Sequence, residues 1–250
     1  MAGHNKWSKI KHRKAVVDKR RGKVWTKISK AIIVAAKHGG PDPDSNLTLR
    51  YAMDEARYAN MPRDTVERAI KKGAGSGEAI NYESNRYEGY GPGGVAIIVD
   101  ALTDNRTRTI TDLRTAFGDY DGNVGSTGCV SYLFQPRGQI LVNANGASED
   151  KVMETAIDAG AADVEAPDDP ETPIWTILTE VPAFNMVKDK LEKAGLTITE
   201  AQLAMIPDTF MTVRGEHAAK VMELLDALED LDDVQKVYSN ADIPDGELAG

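Results

Sequence analysis

Apolar residues early in the chain recur at helical spacing. Val24, Ile28, Ala31, Ile32 and Ala35 share one side of a helix that Gly39, Gly40 and Pro41 bring to an end. Leu47, Leu49, Tyr51, Ala52, Ala56 and Tyr58 predict a second helix within 46–60. A third is predicted from Pro62, a residue suited to a first helical turn, to Gly73. GAGSG at 73–77 reads as a flexible joint. Beyond it, short apolar runs alternate with amphipathic stretches. Strands are expected over 95–102, 129–134, 139–143, 163–166, 174–180, 197–205, 210–214 and 234–238, and helices over 107–120, 148–159, 183–194 and 216–229.

The segments from 139 to 205 run strand, helix, strand, strand, helix, strand, which is the ferredoxin-like order. The segments on either side repeat that order, split in the middle. The expected fold is therefore α+β and multidomain: an N-terminal three-helix domain with a basic arm, plus two ferredoxin-like (βαββαβ) α/β domains, one inserted into the other. The boundaries fall at 1–77 for the helical part, 78–136 with 207–240 for the split domain, and 137–206 for the insert.

Charge changes the picture more than composition does. The 250 residues carry a net −9, yet residues 1–38 hold twelve Lys/Arg and one acid. Residues 39–75 balance six against six, and the remainder holds twelve basic and thirty-two acidic groups, a net −20. A concentrated positive field seeks a polyanion, while the acidic bulk repels it. The candidate contacts are Lys6, Lys9, Lys11, His12, Arg13, Lys14, Lys19, Arg20 and Arg21, with Lys23, Lys27 and Lys30 continuing them as a stripe along the first helix. Trp7, inside the run, suits either stacking on an unpaired base or anchoring the arm.

Other segments are weaker candidates. Gly89, Gly91 and Gly94 in YEGYGPGG spell G-x-G-x-x-G, but they precede a strand rather than open a helix, so dinucleotide binding is not expected. That loop, with Tyr87 and Tyr90, reads as a shaped surface, packing between domains or meeting an RNA or protein partner. In TDNRTRT, Thr103, Asp104 and Asn105 are capping residues, and Arg106 and Arg108 crowd the positive end of a helix. They call for a bound anion or a carboxylate such as Asp100 or Asp112, and ion pairing is the simpler reading. The acidic runs at 163–171 and 229–233 lack a calcium-loop pattern and read as solvated faces.

Cys129 is the single cysteine, which excludes an internal disulfide and fits a reducing compartment; a small buried thiol is a simpler reading of it than a nucleophile. No hydrolytic triad or metal cage assembles from the sequence, so the expectation is a protein without catalytic residues, metal or cofactor. The longest apolar run, AIIVAA, is far too short to cross a bilayer, and no secretory signal follows the basic start, so no membrane association and a cytoplasmic location are expected.

MAGHNKWSKIKHRKA, KRRGKVWTKISKAI, NMPRDTVERAIKK, YEGYGPGGVAIIV, TDNRTRT and the MIP at 205–207 together resemble the YebC/PmpR family along essentially the whole chain. The family includes bacterial proteins described as transcriptional regulators and mitochondrial members described as translational activators. The resemblance implies a helical N-terminal domain with two α/β domains and a cytoplasmic, non-catalytic, nucleic-acid-related regulator; the start at MAGH looks like that of a bacterial member without a targeting extension. DNA-binding transcriptional regulation is one expectation. The alternative is a translation factor bound to ribosomal or messenger RNA, with the ribosome or another protein meeting the acidic α/β domains.

Overall fold

The computed structural model describes residues 18–75, 81–143, 147–167 and 173–244, with side chains from residue 22 onward. These form two compact units, residues 18–134 with 207–244 and residues 135–206.

The larger unit opens with α1 (Asp18–Gly39), α2 (Leu47–Tyr58) and α3 (Arg63–Ala74). Their apolar stripes close one core around Ile28, Ile32, Ala36, Leu49, Ala56 and Val66. Val24 and Leu47, expected to pack, are instead 42% and 50% exposed because they sit at the edges of their stripes. Asn46 joins two helix ends: its Nδ2 donates to Ala35 O and Gly40 O at 2.8 Å, and its Oδ1 accepts from Leu49 N at 3.1 Å. One buried amide thus ties the end of α1 and the residue after it to an orphan N–H of α2. Gly73 belongs to α3 rather than to a joint: a Cβ there would lie 2.4 Å from Ile33 O, so its absence sets how closely α3 approaches α1. The 76–77 part of the expected joint lies outside the described residues.

The same unit continues with β1 (Glu83–Tyr90), β2 (Ala96–Thr103), α4 (Arg106–Asp119), β3 (Asn123–Val124), and, after the insert, β8 (Met211–Thr212), α7 (Gly215–Asp230), β9 (Val234–Ser239) and β10 (Ala241–Asp242). Its main sheet runs β3-β1-β2-β9, antiparallel throughout. Three sequence expectations are corrected. Tyr87–Tyr90 is the end of β1, not loop, and only the Gly91–Val95 turn of the hairpin is irregular. Residues 131–133 form a 3₁₀ turn, not a strand. The segment expected at 210–214 contributes two residues to a separate pair, β8 with β10, in parallel. The sheet nevertheless has the ferredoxin strand layout, because β1, placed ahead of β2 in the chain, occupies the slot that a βαββαβ order gives to its third strand.

The smaller unit comprises β4 (Phe134–Asn143), α5 (Glu149–Ala159), β5 (Asp163–Glu165), β6 (Ile174–Thr179), α6 (Phe184–Lys193) and β7 (Thr197–Pro207). The sheet order β5-β6-β4-β7 is the ferredoxin-like arrangement, with the strand order read directly along the chain. Ile140, Val142, Ile177, Val152, Ala156, Val187 and Leu191 are buried within it.

Candidate nucleic-acid interface

Of the cationic residues singled out in the sequence, Lys6, Lys9, Lys11, His12, Arg13 and Lys14 lie outside the described residues, as does Trp7. Lys19, Arg20 and Arg21 belong to the first turn of α1. Lys23, Lys27 and Lys30 do form one stripe, but it faces the C-terminal end of α7. Lys23 Nζ lies 3.3 Å from both the carbonyl and a carboxylate oxygen of Asp230. Lys27 Nζ donates to Glu229 O at 2.5 Å, and Lys30 Nζ to Asp232 O at 2.8 Å. A helix C-terminus presents unpaired carbonyls and the negative end of the helix dipole, so ammonium groups are the natural cap. All three therefore have partners within the molecule, while the Lys23 side chain remains 46% exposed.

The anchor of that junction is Asp233, only 6% exposed. Its Oδ1 accepts from Lys30 Nζ at 3.2 Å, and its Oδ2 from Arg108 Nη2 at 2.6 Å and Nε at 3.2 Å. The hydroxyls of Thr103 and Thr109 lie 3.2 and 3.0 Å from Oδ2. Burial pushes the Asp233 carboxyl upward, but the hydrogen bonds from Arg108, Thr109 and Lys30 together outweigh it and hold the group below its usual value. Arg108 also reaches Asp104 at 2.8 Å. The arginine thus meets carboxylates, but Asp233 and Asp104 rather than Asp100 or Asp112; Asp100 pairs instead with Arg86 at 2.7 Å. Arg106 stands 4.0 Å from Glu83, and Asn105 caps α4, its side chain accepting from Arg108 N at 3.0 Å. A cavity of about 680 Å³ opens beside the junction, lined by Lys23, Lys30, Tyr82, Arg108 and the acids of the 230–233 turn. With its cations already matched by carboxylates, it offers little to an anion.

Asp233 escaped the sequence reading because EDLDD looks like solvent-facing acid. Its one signal was position, directly after an amphipathic helix whose carbonyls need capping. Glu88 escaped as well. Buried in β1 at 4% exposure, its carboxylate accepts from the backbone N–H groups of Gly128, Val130 and Ser131, each at 2.8 Å. Burial opposes ionisation, yet these donors hold the Glu88 carboxyl below its usual value. Tyr90 donates to Cys129 O at 2.8 Å and so fixes the same loop, whereas the Tyr87 hydroxyl is buried with no hydrogen-bond partner among the described residues. Cys129 is half-buried, and burial pushes its thiol upward, away from a reactive thiolate. The glycines of YEGYGPGG lie in or at the turn of an antiparallel hairpin.

On α3, Arg68, Lys71 and Lys72 are exposed. No His, Cys, Asp or Glu group among the described residues is placed to hold a metal, and no helix among them is long and apolar enough to cross a membrane.

Comparison with known proteins matches residues 5–76 to the TACO1/YebC N-terminal domain and residues 82–241 to the TACO1/YebC second and third domain. The chain belongs to the TACO1/YebC family. A probable transcriptional regulatory protein of Polynucleobacter asymbioticus is 53% identical over 241 residues, covering 96% of this chain and 99% of that protein. Another of the same description, from Citrifermentans bemidjiense, is 50% identical over 248 residues, 99% and 98% of the two chains. The crystal structure of a conserved hypothetical protein from Aquifex aeolicus is similar at a TM-score of 0.86 and 47% identity, covering 96% of this chain and 97% of that one. The TACO1/YebC boundary between residues 76 and 82 coincides with the passage from α3 to β1.

Proposed function

We propose that this chain is a nucleic-acid-binding regulator of gene expression, acting on DNA as a transcriptional regulatory protein, and that it is not an enzyme. The observation that carries the reading is the charge layout, +11 in residues 1–38 against −20 beyond residue 75. The description shared by its relatives as probable transcriptional regulatory proteins supports it. In this reading residues 1–77 are the binding module. Lys6, Lys9, Lys11, His12, Arg13, Lys14, Lys19, Arg20 and Arg21 meet phosphates, Trp7 adds stacking or an anchor, and the two α/β domains, 78–136 with 207–240 and 137–206, face protein partners in the cytoplasm. Phosphate contacts position a protein without reading sequence, so affinity should vary little between DNA sequences.

The test is a variant with Lys9, Lys11, Arg13 and Lys14 changed to Gln. It should bind duplex DNA more weakly across all sequences, with a salt dependence shallower by about 3 to 4 in slope. Unchanged affinity would remove the arm from the interface. Fractionation of a lysate at physiological salt separates the DNA reading from its alternative: recovery with chromosomal DNA supports transcription, and recovery with ribosomes moves the function to RNA.

A further inference from the structure

Resting on the nucleic-acid reading above, we infer that the outward face of α3 is a second contact with the backbone of duplex DNA, made by Arg68, Lys71 and Lys72. The argument starts from elimination. The lysines of α1 that the sequence offers as the continuation of the arm cap α7 and brace Asp233. The cations of α3 have no such task. Arg68 bonds only within its own helix, to Asp64 O at 3.2 Å and Thr65 Oγ1 at 3.0 Å, and Lys71 and Lys72 have no ion-pair partner among the described residues. Arg63, one turn earlier, is neutralised by Glu67 at 3.1 Å.

Geometry places the three together. At 3.6 residues per turn, residues 68, 71 and 72 fall within about 100° of arc and about 6 Å of helix rise. Val66, Ala69 and Gly73 are buried on another side, where Gly73 packs against Ile33 and Ala36 of α1. The cationic arc therefore points away from the core. The helix dipole rationalises Lys71 and Lys72 in the last turn, but not Arg68 in mid-helix. Duplex DNA presents one charge per ~1.7 Å of axis, a density that lets three side chains so close together each find a phosphate; a single strand is about half as dense.

The experiment compares two triple variants of the full chain on one DNA duplex over a range of salt. Arg68→Gln/Lys71→Gln/Lys72→Gln should leave the thermal midpoint unchanged and make the slope of log affinity against log salt shallower by about 2 to 3. Lys23→Gln/Lys27→Gln/Lys30→Gln should lower the thermal midpoint and leave the slope within about 1 of the unaltered protein. Lys71→Arg/Lys72→Arg, which keeps the charge, should keep the slope. An unaltered slope in the α3 variant, with the parent protein binding normally, overturns this inference and leaves the arm reading standing. A loss confined to RNA, with duplex DNA binding intact, overturns it too. Failure of the parent protein to bind duplex DNA sinks both.

Discussion

Two helices of the same small domain carry similar cations and use them in opposite ways. On α1, Lys23, Lys27 and Lys30 donate to carbonyls at the end of α7 and to Asp233, so their charge is internal structure. On α3, Arg68, Lys71 and Lys72 are exposed and make no ion pair among the described residues. Periodicity cannot distinguish the two stripes, since both lie opposite or beside an apolar face at helical spacing. The difference comes from what the fold places across from each. A cation stripe is thus evidence of an electrostatic partner, and only tertiary structure says whether that partner lies inside the molecule.

The strongest way to break this contrast is to remove the acceptor on the structural side. Asp233→Ala leaves Lys30 and Arg108 facing one another across a buried vacancy and should cost about 3 kcal/mol of stability by denaturant unfolding. A negligible loss would mean that the α1 stripe is not structural. The approach of the two helices is the next lever: Gly73→Ala forces a methyl against Ile33 O and should cost about 1–3 kcal/mol in the same assay.

Acid offers a graded version of the first test. Because the Asp233 carboxyl is held below its unfolded-state value of roughly 3.9, its contribution is fully present above that pH and is lost as pH falls through the lower folded value. Unfolding of Asp233→Asn, followed from pH 6 downward, should therefore show a gentler acid limb than the parent. Smallest of all, Lys71→Gln should change stability by no more than about 0.5 kcal/mol, as befits an exposed side chain that braces nothing. A larger loss would place Lys71 in the structure and remove it from the interface.

How much was legible follows the same line between local and distant causes. The three helices could be read because their cores repeat within each segment and their stops, Gly39–Gly40 and Pro62, are local. The smaller unit could be read because its strands follow one another in the ferredoxin order. β1 could not: ESNRYEGY has no β-branched residue and runs into the glycines of GPGG, so its two tyrosines are the one strand signal in it, and pairing with the apolar AIIVDALT of β2 decides its conformation. The expected strand at 129–134 failed for a related reason. Glu88, forty residues away, captures N–H groups that a strand would have given to a neighbour, and residues 131–133 turn instead. At the candidate site, the ion pairing of Arg108 was legible as a need for a carboxylate, but not its partner, since Asp233 arrives from the far end of the chain through β9 beside β2.

The account as a whole rests on phosphate neutralisation by the cationic start of an acidic protein. Its most direct test is the affinity of the intact chain for duplex DNA measured from 50 to 200 mM salt. Contacts of about 6 to 10 phosphates predict a fall of roughly 10³- to 10⁵-fold over that range. An affinity that barely moves with salt would contradict the claim.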